Sequence, residues 1–132
     1  MFDPKTKVLV VDDMMTMRKI VTKALKEIGF TDVEDANGGI AAFEKLSSAS
    51  PPFGLIISDW NMPEGTGIDL LKRVRGDGRF AKLPFILVTA ESEKTQVAEA
   101  VKSGVSNYVI KPFTTPILRD KLEAVHKRLS GT

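Results

Sequence analysis

The chain contains no cysteine, which excludes disulfide bonds and thiolate metal ligands. No apolar stretch approaches the ~20 residues that a membrane-spanning helix needs, and the first residues lack the apolar core of a signal peptide. Lys and Arg form no cluster with interleaved aromatic residues, and the formal net charge is only +2, so nothing indicates a nucleic-acid partner. We therefore expect a soluble, cytoplasmic protein that binds neither membranes nor nucleic acid.

The composition that remains is that of an ordinary globular protein. Of the 132 residues, 42% are hydrophobic and 27% are charged, which is close to the average for folded domains and makes disorder unexpected. The length suits one domain with its own core. We expect a single domain over residues 1–132, present as a monomer.

Four apolar runs each end in polar residues. Such runs predict strands buried on both faces, as in a parallel sheet. The runs and the residues that follow them are Val8–Val11 with Asp12 and Asp13, Leu55–Ser58 with Asp59, Phe85–Val88 with Thr89, and Tyr108–Ile110 with Lys111. Ligand sites in parallel sheets lie beyond the carboxyl ends of the strands. We therefore expect three carboxylates, a hydroxyl and an ammonium to converge there.

Helical patterns alternate with these strands. Apolar residues recur at helical spacing over Ile20–Ile28, Ile40–Leu46, Ile68–Val74, Ser92–Lys102 and Pro116–Leu129. A short additional strand is predicted near Val33. Five strand–helix repeats with short connections predict an α/β fold, a doubly wound five-stranded parallel sheet with helices on both faces. The helix over Ser92–Lys102 offers few apolar positions (Val97, Ala98 and Val101), which fits either a solvated surface or a face that binds a partner.

The three acids at the strand ends predict a divalent cation. Two unit charges ~4 Å apart repel by ~4 kcal/mol at an effective dielectric constant near 20, so clustered carboxylates favour a bound cation. Hard oxygen ligands select Mg²⁺, or Mn²⁺, over zinc. The alternative is that Asp12 or Asp13 caps the following helix, which is reasonable for one Asp and much less so for all three.

Asp59 is the candidate nucleophile. A carboxylate that attacks phosphorus forms an acyl phosphate, and the protein assists by placement and electrostatic stabilisation. Lys111 supplies a cation and Thr89 a hydroxyl for the phosphoryl oxygens. Taken singly, Thr89 reads as the last residue of a strand and Lys111 as a surface lysine. Pro112 favours an extended backbone at Lys111, and the isomer of that peptide bond stays open.

These residues make the chain resemble response-regulator receiver domains, which have a flavodoxin-like fold. The resemblance covers essentially the whole chain and is most marked toward the single-domain receivers of bacterial chemotaxis. It is carried by five strings, namely Asp12-Asp13, Thr16-Met17-Arg18, Ser58 to Pro63 with Gly67, Val88 to Glu91, and Tyr108 to Phe113.

The resemblance implies a site chemistry. Asp59 would accept a phosphoryl group from a phosphohistidine of a CheA-like sensor histidine kinase, with no other enzymatic activity than its own phosphorylation and dephosphorylation. Asp13 and Asp59 would ligate Mg²⁺ directly, Asn61 through its backbone carbonyl, and Asp12 partly through water. Trp60 would lie beside the metal.

The resemblance also implies an output. Thr89 and Tyr108 would form a switch pair, with the hydroxyl moving toward the phosphoryl group and the ring filling the vacated space. The face built from the fourth helix, the fifth strand and the fifth helix would then bind the flagellar motor switch protein. A dedicated phosphatase is a further partner that the family allows. Met14 and Met15, which follow the acid pair, depart from the usual pattern of the family, and Pro116 would lie at the output face.

Three other functions make different demands on these residues. An aspartyl-phosphate phosphatase needs an acid two residues beyond the nucleophile, where this chain has Asn61. A flavin carrier needs a phosphate-binding loop after the first strand, where Asp12 and Asp13 would repel a phosphate. A phosphorelay intermediate that passes the phosphoryl group to another histidine stays open.

Glu91 would either tune the access of hydrolytic water or serve as a surface acid.

Overall fold

Strands and helices alternate along the whole chain. The computed structural model describes residues 2–62, 66–89 and 94–130. The elements are β1 (Lys7–Val11), α1 (Met15–Ile28), β2 (Asp32–Ala36), α2 (Gly39–Ser48), β3 (Leu55–Asp59), α3 (Gly67–Arg75), β4 (Phe85–Thr89), α4 (Lys94–Lys102), β5 (Asn107–Ile110) and α5 (Thr115–Ser130). Glu91 and the predicted helix start at Ser92 lie outside the described residues.

The five strands form one parallel sheet in the order β2-β1-β3-β4-β5. The predicted fold class is therefore confirmed. The chain starts in β1, moves outward to β2 and then crosses back to β3 on the other side. The order thus reverses between β1 and β3, and ligands bind in such sheets where this reversal opens a crevice at the carboxyl ends.

Apolar side chains cover both faces of the sheet. Strands β3 and β4 are buried throughout, and β1 is buried from Val8 onward. Alternate residues enter opposite layers, so that Leu9 and Val11 pack on the side of α2 and α3, whereas Val8 and Val10 pack on the side of α1 and α5. Burial on both faces explains why these strands read as uninterrupted apolar runs rather than as alternating patterns.

Some apolar residues at helical spacing do not face the core. Four of them have between 44% and 58% of their surface exposed, namely Ile20, Ile40, Ile117 and Leu129. In α4, Ala98 and Val101 are exposed, whereas Ala100 is buried. A helix that buries small residues leaves little periodic signal, because alanine contributes weakly to an apolar stripe.

The connections hold the helices against the sheet ends. Thr66 and Asp69 form a reciprocal capping box at the start of α3, which satisfies backbone N–H groups in the first turn. Gly29 ends α1 with a φ of 130°, a conformation that favours glycine. In the described part of the chain, no helix combines the length and the apolar character needed to cross a bilayer.

Candidate functional site

Three carboxylates meet where the order of the strands reverses. Asp12 and Asp13 follow β1 and Asp59 ends β3, and one oxygen from each lies within 4.8 Å of the others. Asp12 and Asp59 are buried, whereas Asp13 is exposed. The pairing of Val11 with Ser58 in the sheet register explains this convergence, because the residues that follow these partners leave the same edge of the sheet together.

The ammonium of Lys111 lies between the two buried acids. Its Nζ atom is 3.0 Å from Asp59 Oδ1 and 3.8 Å from Asp12 Oδ2. The Lys111 backbone N–H donates to the Thr89 carbonyl oxygen at 2.7 Å, which brings the chain after β5 beside the end of β4. The following peptide bond, to Pro112, is cis. Lys111 is therefore part of the acidic cluster and not an isolated surface lysine.

Asp12 is held by the backbone rather than acting as a helix cap. Its Oδ1 atom accepts a hydrogen bond from the Met14 N–H at 2.9 Å. Met14 itself is the N-cap residue of α1 and has no side-chain cap. Burial raises the pKa of the Asp12 carboxyl; the Met14 N–H and Lys111 act in the opposite direction, while Asp59 and Asp13 raise it further.

Asp59 is the last residue of β3 and is packed closely against the start of α3. Its Oδ1 atom accepts the Trp60 N–H at 2.9 Å, and Trp60 is buried on the α2–α3 side. The Gly67 N–H donates to the Trp60 carbonyl at 2.8 Å. A Cβ atom at Gly67 would lie 2.2 Å from the Asp59 carbonyl oxygen. Gly67 therefore allows the start of α3 to approach the nucleophile candidate, a role that the sequence pattern did not identify.

Thr89 and Tyr108 lie on one face of neighbouring strands. Thr89 is buried at the end of β4, and Tyr108 pairs in register with Leu87. Because side chains alternate along a strand, Leu87 and Thr89 point to the same side of the sheet, the α2–α3 side on which Tyr108 packs.

Asn61 is exposed two residues after Asp59.

Sequence reasoning overlooked Arg18 as a residue of the site. The guanidinium donates from Nη1 to the Asp12 carbonyl oxygen at 2.9 Å and from Nε to Asp35 Oδ2 at 2.8 Å. The sequence offered one signal for this role: Arg18 follows Met14 by one helical turn, and an acid, Asp35, lies near the end of the next predicted strand.

The donor set of the cluster fits magnesium. Asp12, Asp13 and Asp59 offer carboxylate oxygens, and Mg²⁺ takes oxygen ligands and one or two carboxylates directly. Among the described residues, two buried carboxylates share one ammonium, that of Lys111. A divalent cation would neutralise the remaining negative charge of the cluster. Manganese accepts the same donors.

Comparisons with known proteins agree with this geometry. Residues 8–123 match the family model of the response regulator receiver domain. The chain is 49% identical to the chemotaxis protein CheY1 of Helicobacter pylori over 90% of this chain and 95% of that protein. It is 45% identical to the chemotaxis protein CheY of Pseudomonas aeruginosa, over 95% and 99% of the two chains.

Solved structures show the same fold. Chemotaxis protein CheY4 of Vibrio cholerae superposes with a TM-score of 0.84 at 34% identity, covering 92% of this chain and 98% of the other. A response regulator receiver protein of Pseudomonas putida gives a TM-score of 0.79 at 30% identity, covering 96% and 99%. This is a family of signalling proteins rather than of classical enzymes. The chain belongs to the response regulator receiver family and is a CheY-like response regulator.

Proposed function

We propose that Asp59 is the phosphoacceptor of a Mg²⁺-dependent chemotaxis switch that a CheA-like sensor histidine kinase phosphorylates and that acts on the flagellar motor switch protein. The observation that carries this proposal is the Lys111 ammonium, 3.0 Å from Asp59 within a cluster of three carboxylates. Such a site combines an anionic nucleophile with a cation for the incoming phosphoryl oxygens. The names of the CheY relatives support the chemotaxis assignment.

Asp12, Asp13 and Asp59 would hold the metal, with the Asn61 backbone carbonyl as a further ligand. When bound, Mg²⁺ supplies positive charge that neutralises carboxylate and phosphoryl oxygens. The cation would offset the effects of burial and of the neighbouring carboxylates, which raise the pKa of Asp12.

In the proposed reaction, an Asp59 carboxylate oxygen attacks the phosphorus of a phosphohistidine. The new O–P bond forms an acyl phosphate while the N–P bond breaks and the imidazole leaves with its electron pair. Lys111 stabilises the negative charge on a phosphoryl oxygen, and the Thr89 hydroxyl donates a hydrogen bond to another. The Trp60 N–H, already bonded to Asp59 Oδ1, orients the carboxylate for in-line attack.

The output would follow from Thr89 and Tyr108. Movement of the Thr89 hydroxyl toward the phosphoryl group would open space on the α2–α3 side of the sheet for the Tyr108 ring. The face formed by α4, β5 and α5 would then change and bind the motor switch protein in the cytoplasm. This face exposes the apolar residues Val101, Ile110 and Ile117, which suits contact with a protein partner. A dedicated phosphatase would be a further partner.

Phosphorylation can be tested with acetyl phosphate or a phosphorylated kinase fragment. Asp59→Asn should abolish labelling, while Asp120→Asn, which changes an exposed acid of α5, should leave it intact. Full labelling of Asp59→Asn would overturn the assignment of the phosphoacceptor.

The output can be tested with beryllofluoride, a phosphoryl mimic. Binding of the motor switch protein that increases with beryllofluoride would support the proposed output. Transfer of the phosphoryl group to a histidine phosphotransfer domain, without binding to the motor switch protein, would identify a relay instead.

A further inference from the structure

We propose that Arg18 is a positioning residue for the acidic site: it holds the backbone of Asp12 through the carbonyl oxygen and thereby sets the affinity for Mg²⁺. The inference deepens the proposed function and rests on it. Arg18 does not reach the carboxylates of the cluster. It acts through the Asp12 carbonyl oxygen, which accepts Nη1–H at 2.9 Å, and through Asp35, which accepts Nε–H at 2.8 Å.

Three hydrogen bonds hold Asp12 in place. Its backbone N–H donates to the Ala36 carbonyl at 3.2 Å, which extends the pairing of β1 with β2. Its carboxylate accepts the Met14 N–H at 2.9 Å, and its carbonyl accepts from Arg18. Together these contacts define the direction in which the side chain leaves the backbone, and hence where its oxygens meet those of Asp13 and Asp59.

Arg18 joins three elements at this corner of the fold. Its own N–H donates to the Met14 carbonyl at 3.0 Å in the first turn of α1. Its guanidinium reaches the end of β1 at Asp12 and the end of β2 at Asp35. The side chain of Arg18 is 15% exposed, whereas that of Asp35 is 52% exposed. Arg18 is therefore the more buried partner of this ion pair, and the more exposed Asp35 orients its guanidinium.

A guanidinium suits this task better than an ammonium. Its planar fork presents two N–H groups at a fixed angle, so that one side chain can hold a carbonyl and a carboxylate simultaneously. A lysine would keep the charge but lose this fixed geometry. Lys45 Nζ donates to the Asp35 backbone carbonyl at 2.6 Å, so the backbone of the residue that accepts from Arg18 Nε is itself held in place.

Loss of this support should weaken metal binding more than it weakens the fold. Residues that orient metal ligands cost 10–100-fold in affinity when they are replaced. Because Arg18 acts through the backbone of one ligand, we expect Arg18→Gln to raise the Mg²⁺ dissociation constant about 3–10-fold. Arg18→Lys should give an intermediate value, and Asp35→Asn should shift it in the same direction by a smaller factor.

The experiment combines two measurements on the full chain. The first is a Mg²⁺ titration followed by Trp60 fluorescence. The second is hydrogen exchange of the Asp12 amide in metal-free protein, which reports the bond to the Ala36 carbonyl and should accelerate in Arg18→Gln. Lys23→Gln removes the same charge from an exposed position of α1 and should match the wild type in both. Denaturation curves establish that each variant is folded.

Wild-type metal affinity together with wild-type Asp12 exchange in Arg18→Gln would overturn the inference. Equal losses in Lys23→Gln and Arg18→Gln would also overturn it, since net charge would then explain the effect. If Arg18→Gln does not fold, Asp35→Asn decides by the same two measurements. Absence of a Mg²⁺ response in the wild type would refute the proposed function, while the exchange of the Asp12 amide would still test the role of Arg18.

Discussion

Burial and charge repulsion act together at Asp12. The pKa of this carboxyl is raised above 3.8, first by burial and further by Asp59 and Asp13. The folded chain therefore retains a proton that the unfolded chain has already released above pH 3.8. The contribution of Asp12 to stability falls as the pH rises from 3.8 through the raised pKa of the folded state, and above that pKa the ionised group destabilises the metal-free protein.

Replacement of this acid should stabilise the metal-free protein. Asp12→Asn keeps an oxygen that can accept the Met14 N–H and removes one negative charge from the cluster. We expect a gain of about 1 kcal/mol in the free energy of unfolding at pH 7 with EDTA present, well below the ~4 kcal/mol of two unit charges ~4 Å apart at an effective dielectric constant near 20. Urea denaturation measures this. A variant less stable than the wild type at pH 7 would contradict the argument.

The pKa of Asp77 is lowered, in contrast to that of Asp12. Arg79 donates to its two carboxylate oxygens at 3.1 and 2.8 Å, and these bonds, together with the Arg79 backbone N–H, lower the pKa of Asp77 to about 2. The stabilisation is complete above pH 3.8 and is lost as the pH falls through about 2. Carboxyl NMR should find this value, and Arg79→Gln should return it toward 3.8. An unchanged titration in Arg79→Gln would refute the pairing.

The packing of α3 against β3 depends on the absence of a side chain at Gly67. A methyl group there would collide with the Asp59 carbonyl and with Leu87 Cδ2, at 2.2 and 2.8 Å. Gly67→Ala should therefore lower the free energy of unfolding by about 1–3 kcal/mol and reduce phosphorylation of Asp59. Gly78→Ala adds a methyl group where no atom lies within 4 Å and serves as the control. Equal stability of the two variants would show that α3 can shift without cost.

Arg75 joins the end of α3 to the turn after α4. It donates to the carbonyls of Gly104 at 2.9 Å and Leu83 at 2.7 Å, and burial lowers its pKa. Arg75→Met should cost about 2–3 kcal/mol, because these carbonyls lose a charged donor. Lys72→Met, on an exposed part of α3, should cost far less in the same denaturation experiment. A small loss for Arg75→Met would mean that solvent replaces the donor readily.

The strands were more predictable than the helices for a physical reason. A strand buried on both faces, such as β3, needs apolar residues at every position, so that its sequence is distinctive. A helix buries one stripe, and residues at the margin of that stripe, such as Ile20 and Ile117, fit the same spacing while facing solvent. Helix α4 buries Ala100, whose small side chain leaves almost no signal.

The residues of the site likewise divide into those that the sequence predicts and those that it does not. Asp12, Asp13, Asp59, Thr89 and Lys111 were predictable as a group because each follows or ends an apolar run, and parallel strands deliver such residues to one edge. Arg18 acts through a backbone carbonyl and Gly67 through the lack of a side chain. Neither contact follows from residue type and spacing, since both depend on how α1 and α3 settle on the finished sheet.

The whole molecule is needed to form the acidic site, and this links metal binding to folding. Asp12 and Asp59 are distant in sequence and meet only when β1 pairs with β3. The unfolded chain cannot present the cluster, so Mg²⁺ held as proposed would bind the folded state preferentially and should stabilise it by RT ln(1 + [Mg²⁺]/Kd), about 2.7 kcal/mol at 100 times Kd.

We therefore expect the melting temperature of the wild type to rise with Mg²⁺ and to return to its starting value with EDTA. Asp13→Asn and Asp59→Asn each remove one proposed ligand and should show a much smaller rise. Asp120→Asn, outside the cluster, should behave as the wild type. Sodium chloride at matched ionic strength separates binding from screening, because screening would act alike on all four proteins. A Mg²⁺-dependent rise of equal size in every variant would mean that the ion acts on the general surface charge and not at the carboxyl ends of β1 and β3.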